Sequence, residues 1–266
     1  MGFIHSSLPE SPVKSLPKLF AGGALAFSTL ACPLAGAIDL GGLANSAGLA
    51  IKAATLSDAE VVDLADKSCA ALDRTNKVAA PGSKYAKRLE AALKPLNMSK
   101  FNGKKLDAKV YLVSEVNAFA MDNGCIRVFA GLMDMMNDDE VRAVVGHEIG
   151  HVLLGHSKKS MQTAYSLQAA RGAAGAVSTT AATLSQSDLG DLGHKFIEAQ
   201  FSQSQETDAD DQSYGILHKE KLSRTGLVTV FQKLAKLDGA GRSMFSSHPS
   251  SPDRAQRMQS RIDKDG

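Results

Sequence analysis

His147-Glu148-Ile149-Gly150-His151 is the stretch on which the fold turns, because H-E-x-x-H on a helix gathers two imidazoles and a carboxylate around a single metal ion. A helix advances about 100° per residue, so His147 and His151 stand about 40° apart on one face, one turn apart. Glu148 lies beside that face, within reach of a water on the ion. Zinc with three protein ligands and an open position lowers the pKa of its water to about 7, and a neighbouring carboxylate can take the proton. The pattern therefore predicts hydroxide at neutral pH, and with it hydrolysis. The flanks predict the helix: Asn137 and Glu140 form a capping box, and Val141, Val144, Val145, Ile149, Val152 and Leu153 follow at helical spacing, with the motif in mid-helix.

A third ligand has to come from elsewhere. His156 lies five residues after His151, about 140° around the helix, and reads as a helix-end histidine stabilised by the C-terminal dipole. Ser204-Gln205-Glu206-Thr207-Asp208-Ala209-Asp210 is a better source, inside a polar-apolar run from Asp188 to Lys219 that predicts one long helix. Glu206 and Asp210 are one turn apart. Glu206 can ligate the ion while Asp210 accepts the free N–H of a ligand histidine, fixing its tautomer. On spacing alone a solvated acidic face competes with this reading.

H-E-I-G-H, then Glu206 to Asp210 as an E-x-x-A-D element, then His248-Pro249 with Arg254, resembles the gluzincin metalloendopeptidases that include the CAAX prenyl protease, HtpX and the periplasmic LoiP-like and BepA-like enzymes. The resemblance runs from about Val110 to Met258 and includes Asn117-Ala118-Phe119-Ala120. It implies an α+β, mainly helical, minigluzincin-type zincin domain with a small β-sheet beside the H-E-x-x-H helix. It also implies one Zn²⁺ held by His147, His151 and Glu206, with Glu148 as general base, a transition-state role for His248 and an orienting role for Arg254. Peptide hydrolysis passes through a tetrahedral oxyanion, and a donor such as His248 would share its charge with the metal. Alternatively His248 swings in to fill the fourth position and holds the enzyme latent.

Residues 117 to 121 and 125 to 130 predict a β-hairpin whose turn uses Asn123-Gly124. Its first strand, Asn117 to Ala120, is either an edge that binds an extended peptide by β-augmentation or an ordinary strand of a small sheet. Further helices are expected near 57–78, 83–93, from 160, at 223–237 and at 252–262, and a strand near 108–113. They are expected on one side of the sheet. The stretch from Ala169 to Ser187, rich in Ala, Gly, Ser and Thr, reads as a lid or a plain connector, too polar for a convincing membrane span.

The chain has 266 residues, 44% hydrophobic and 22% charged, with net charge +2 and no Trp. That balance gives no reason to invoke nucleic acid. Lys14 and Lys18 precede an apolar run from Leu19 to Leu34, and Ala35-Gly36-Ala37 offers a cleavage site, so residues 1–37 read as a signal peptide and 38–266 as the metallopeptidase domain. The competing reading is acylation at Cys32 and association with the outer membrane. Either way the destination is a Gram-negative periplasm. In that oxidising space Cys69 and Cys125 remain as an even pair, expected as a disulfide between a helix and the hairpin, or else as two buried thiols. Three functions fit: a zinc endopeptidase acting on misfolded or extended envelope proteins, a chaperone-like factor using the same cleft mainly to bind, and a structural zinc protein. The last is weakened by Glu148, which a closed site does not need.

Overall fold

The computed structural model describes residues 51, 54–101, 103–174, 184–237, 247–248 and 252–265. The expected signal segment, Cys32 and residues 175–183 of the Ala/Gly-rich stretch lie outside them. Among the described residues the chain is mainly helical: α1 (Asp58–Thr75), α2 (Lys84–Leu93), β1 (Lys100–Phe101), β2 (Lys104–Lys105), β3 (Asp107–Tyr111), β4 (Ala118–Ala120), β5 (Cys125–Phe129), α3 (Ala130–Met135), α4 (Asp138–Leu153), α5 (His156–Ala174), α6 (Gln186–Ile197), α7 (Gln203–Lys219), α8 (Thr225–Leu234) and α9 (Pro252–Asp265). None of these helices is long and apolar enough to cross a membrane.

Local chemistry sets the helix starts. Ser57 with Glu60 opens α1, and Asn137 with Glu140 opens α4, each as a complete capping box. Ser83 accepts from the Ala86 N–H to open α2. β4 and β5 form the expected antiparallel hairpin, and Gly124 takes φ 92° in its turn. β5 is central and pairs in parallel with β3, so the sheet order is β3-β5-β4.

The helices cover both faces of this sheet, which corrects the expectation of one. β4 and β5 are buried at every position, and alternate side chains enter two different cores. Val110, Ala118, Ala120, Ile126 and Val128 pack against α2, α4, α7 and α8. Tyr111, Phe119, Met121, Cys125 and Phe129 pack against α1, α5 and α6. A strand buried on both sides loses the polar alternation that marks a one-sided sheet.

A second correction concerns the run from Asp188 to Lys219. It forms two helices, because Glu198 caps the end of α6 and Ser202, in a capping box with Gln205, starts α7. The break at 198–202 frees Phe201 to turn toward the histidines. The H-E-x-x-H motif also falls in the last two turns of α4 rather than its middle. Gly155, at φ 74°, then turns the chain into α5.

α1 is fastened to the sheet twice on one face. Cys69 and Cys125 are joined in a disulfide, as the sequence predicts. One turn on, Asp73 accepts from Arg127 Nε at 2.8 Å, Arg127 Nη2 at 2.9 Å, Lys109 Nζ at 2.7 Å and Tyr111 Oη at 2.8 Å. Arg127 is 1% exposed, so it depends on that carboxylate. Burial pushes the Asp73 pKa up, but the bonds from Arg127, Lys109 and Tyr111 outweigh it and hold it down at about 2, against an ordinary 3.8. Asp73→Asn leaves the buried guanidinium with only the exposed Asp107 carboxylate, 2.9 Å away, as its charge partner and should cost about 3 kcal/mol of stability at neutral pH. A carboxylate with a depressed folded pKa stabilises above its unfolded value, and the effect fades as pH falls through the folded value. Urea unfolding at a series of pH values should therefore show the difference intact above pH 3.8 and closing toward about pH 2. A difference flat across that window would show that the charge is not the cause.

Candidate metal centre

α4 and α7 are unusually close, and small residues make that possible. A Cβ on Gly146 would stand 2.6 Å from Ser213 Oγ, and one on Gly150 would stand 3.0 Å from the Ala209 carbonyl oxygen and 3.2 Å from its Cα. Ser213 Oγ in turn donates to the Ala143 carbonyl at 2.9 Å. The seam of Gly146 and Gly150 against Ala209 and Ser213 brings the last turns of α4 to the first turns of α7. Glu206 thereby reaches the two motif histidines.

His147, His151, Glu206 and His248 are all buried, and each offers a donor atom within 4.8 Å of the others. The closest spacings are tighter: His151 Nε2 to His147 Nε2 is 3.0 Å, His147 Nε2 to His248 Nδ1 3.3 Å, His151 Nε2 to Glu206 Oε1 3.3 Å, His147 Nε2 to Glu206 Oε2 3.5 Å and His248 Nδ1 to Glu206 Oε1 2.9 Å. A tetrahedron with bonds of about 2.1 Å has edges of about 3.4 Å, so these spacings fit one zinc-sized ion.

The charges point the same way. Glu148, Glu206 and Asp210 are at most 3% exposed and share the site with one buried guanidinium, Arg254. With neutral imidazoles this leaves two negative charges buried, which a divalent cation would balance. Glu148 Oε1 is buried with no hydrogen-bond partner; His248 Nε2 lies 3.6 Å from it.

The supporting contacts are specific. Asp210 Oδ1 accepts from His147 Nδ1 at 2.9 Å, leaving Nε2 to face the other donors. Arg254 grips Asp210 through Nε and Nη2, at 2.9 and 2.6 Å, and meets Glu206 Oε2 through Nη1 at 2.6 Å. Arg257 adds a 3.3 Å contact to Asp210 and pairs with Asp211 at the rim. Burial pulls the His147 pKa down, yet the Glu206 and Asp210 carboxylates prevail and hold it up at about 9. Burial keeps His151 well below the usual imidazole range and lifts Glu148 above the usual carboxylate range. For Glu206 burial opposes ionisation, but His147 and His248 keep its carboxyl far below the ordinary range.

Two residues go beyond what the sequence suggested. His156 opens α5 rather than closing α4, so no C-terminal dipole acts on it; its Nδ1 lies 3.1 Å from His151 Nδ1. Phe201 stacks on His151 with ring centroids 3.8 Å apart and also faces His248 at 5.1 Å, walling the cluster. The break between α6 and α7 places it there, and only the Ser202 cap hinted at that break. Asn117 to Ala120 lie at the sheet edge beside α4, buried, with the Asn117 side chain accepting from the Ala118 N–H at 2.9 Å. Cys69 and Cys125 join α1 to the opposite face of the sheet from α4.

The sequence pattern of peptidase family M48 matches residues 83–262. The chain is 49% identical to the metalloprotease LoiP of Escherichia coli over 230 residues, which is 86% of this chain and 91% of that protein. It is 48% identical to the metalloprotease YcaL of the same organism over 244 residues, 90% and 96% of the two chains. The mitochondrial metalloendopeptidase OMA1 of Arabidopsis thaliana is 30% identical over 158 residues, 56% of this chain and 30% of that protein.

Gly150→Ala tests the seam. Alanine favours a helix interior over glycine by about 1 kcal/mol, but here the added methyl meets backbone that cannot rotate away, and overpacking costs about 1–3 kcal/mol. A net loss of stability and weaker metal retention are expected in thermal unfolding and metal titration. A stabilised variant with full metal affinity would show that the approach of α4 and α7 is not limiting.

Proposed function

The chain belongs to peptidase family M48 and is a metalloendopeptidase, and on that footing we propose that it is a zinc enzyme of the Gram-negative periplasm that cuts misfolded or extended cell-envelope polypeptides. The observation that carries the reading is the tetrahedral spacing of the buried donors beside three buried carboxylates. His147, His151 and Glu206 would hold the zinc, and His-His-carboxylate donors suit that ion. When bound, zinc supplies Lewis acidity to the scissile carbonyl and acidifies a water.

The chain's own groups do the rest. Glu148, buried and with Oε1 unpaired, takes the proton of the attacking water and passes it to the departing amine. Asp210 keeps the His147 proton on Nδ1, and Arg254 fixes both Asp210 and Glu206. His248 has two roles in this reading. With Nδ1 among the donor atoms it would join His147, His151 and Glu206 in holding the metal and keep the enzyme at rest; withdrawn, it would donate to the oxyanion.

Substrate enters extended along β4. Ladder alternation turns the main-chain groups of Ala118 and Ala120 away from β5. The Ala118 N–H is held by Asn117, which leaves the Ala118 carbonyl and the Ala120 N–H for a peptide. The Cys69 to Cys125 disulfide favours an oxidising compartment, and the signal-like residues 1–37 favour export, either to the soluble periplasm or to the outer membrane through an acylated Cys32.

Purified wild type and Glu148→Gln should each retain one zinc per chain, while casein cleavage falls by about 10²–10⁴-fold in the variant. Cleavage surviving in Glu148→Gln would remove the general base from the account, and zinc-loaded wild type without any cleavage would favour the chaperone-like role. Asp210→Asn should weaken zinc retention by about 10–100-fold, read by competition with a chromogenic chelator. His248→Ala should raise turnover per zinc if the resting contact is inhibitory; a fall leaves only the oxyanion role.

A further inference from the structure

Asp210 holds His147 from behind, and His151 needs a counterpart of its own. A neutral imidazole carries a single proton on its two nitrogens, so a ring that offers Nε2 to a metal keeps that proton on Nδ1. His151 is 1% exposed, and a buried N–H needs an acceptor. Its Nε2 is the nitrogen that lies among the donors, 3.0 Å from His147 Nε2 and 3.3 Å from Glu206 Oε1. Its Nδ1 therefore holds the proton and faces away from them.

What Nδ1 faces is His156. The two Nδ1 atoms are 3.1 Å apart, and the ring planes cross at 61°. Two N–H groups cannot point at each other over that distance, so His156 Nδ1 presents its lone pair and the His156 proton sits on Nε2. The contact is on the side of His151 opposite Nε2, and His156 stands outside the group of donors.

The fold fixes this arrangement. Gly155, at φ 74°, turns the chain so that His156 begins α5; on one continuous helix the two rings would point about 140° apart. Ser157, 1% exposed, reaches the Ala120 carbonyl at 3.5 Å and ties the start of α5 to β4. Phe201 stacks on the His151 ring, with centroids 3.8 Å apart and 24° between planes, and keeps it from tilting off the contact. At the first residue of α5 the positive end of the helix dipole disfavours an imidazolium, which keeps His156 an acceptor.

We propose that His156 is the positioning residue for His151: it accepts the Nδ1 proton, fixes the tautomer and leaves Nε2 free for the metal. The inference rests on the metalloenzyme reading above. It gives the two motif histidines unequal supports, a carboxylate for His147 and a neutral ring for His151. A neutral acceptor draws the shared proton less strongly, so His151 is the weaker donor of the pair.

The test uses the full zinc-loaded chain, isotope-labelled at the histidine nitrogens. A hydrogen bond between two imidazoles carries a coupling between the two nitrogens, and the parent should show a pair joined Nδ1 to Nδ1 that disappears in His156→Asn and in His156→Phe. In competition with a chromogenic chelator, His156→Phe, which keeps a ring without an acceptor, should lower zinc affinity about tenfold, the low end for losing such a partner. His156→Asn, smaller but with an amide oxygen close to the place of Nδ1, should stay near the parent. A residue that only filled space would give the reverse order. The coupling needs no substitution, so it decides the matter if the variants do not fold. A zinc-loaded parent without that coupling, or His156→Phe holding zinc as tightly as the parent, would overturn the inference alone; a parent that takes up no zinc would overturn the metalloenzyme reading and this inference with it.

Discussion

Everything at the metal centre depends on how closely two helix backbones approach. Gly146 and Gly150 on α4 face Ala209 and Ser213 on α7, and a single methyl at either glycine would collide with the partner helix. Side chains larger than these would hold the axes apart, and Glu206 would then fall short of His147 and His151. Such a seam contributes little hydrophobic area. What it provides is position, and the larger apolar residues of α4 and α8 on either side supply the burial that holds it shut.

The second constraint is electrostatic, and it works against the fold until a cation is present. Three buried carboxylates surround one buried guanidinium. Desolvation disfavours every one of these charges; close, well-directed contacts keep Glu206, Asp210 and Arg254 ionised, while burial lifts Glu148 above the usual carboxylate range. Asp210 shows how: it accepts from His147 and from Arg254 together, so one side chain orients His147 and anchors the helix that carries Arg254. The same site that is costly for the polypeptide alone is therefore one that a divalent ion would stabilise.

The parts governed by local rules were legible in the sequence. The cap at Asn137, the Asn123-Gly124 hairpin and the spacing of His147, Glu148 and His151 all act within a few residues, and each sits where the pattern puts it. Cys69 and Cys125 were legible because so few cysteines leave few pairings. The misses are tertiary. A two-sided sheet was hidden because Ala118-Phe119-Ala120 alternates small and large rather than polar and apolar. The break at 198–202 was hidden because a polar capping sequence looks like a polar helix face. The contact of His156 with His151 depends on the turn at Gly155, which a single continuous helix does not allow for. Gly146 and Gly150 were in plain view, yet their meaning needs the partner helix.

The most direct test of the metal centre is zinc X-ray absorption on the purified resting protein. The account predicts one zinc in a shell of nitrogen and oxygen only, at about 2.0–2.1 Å, with multiple scattering from three imidazoles, falling to two in His248→Ala. A shell containing sulfur, or a folded protein that binds no stoichiometric metal, would contradict it.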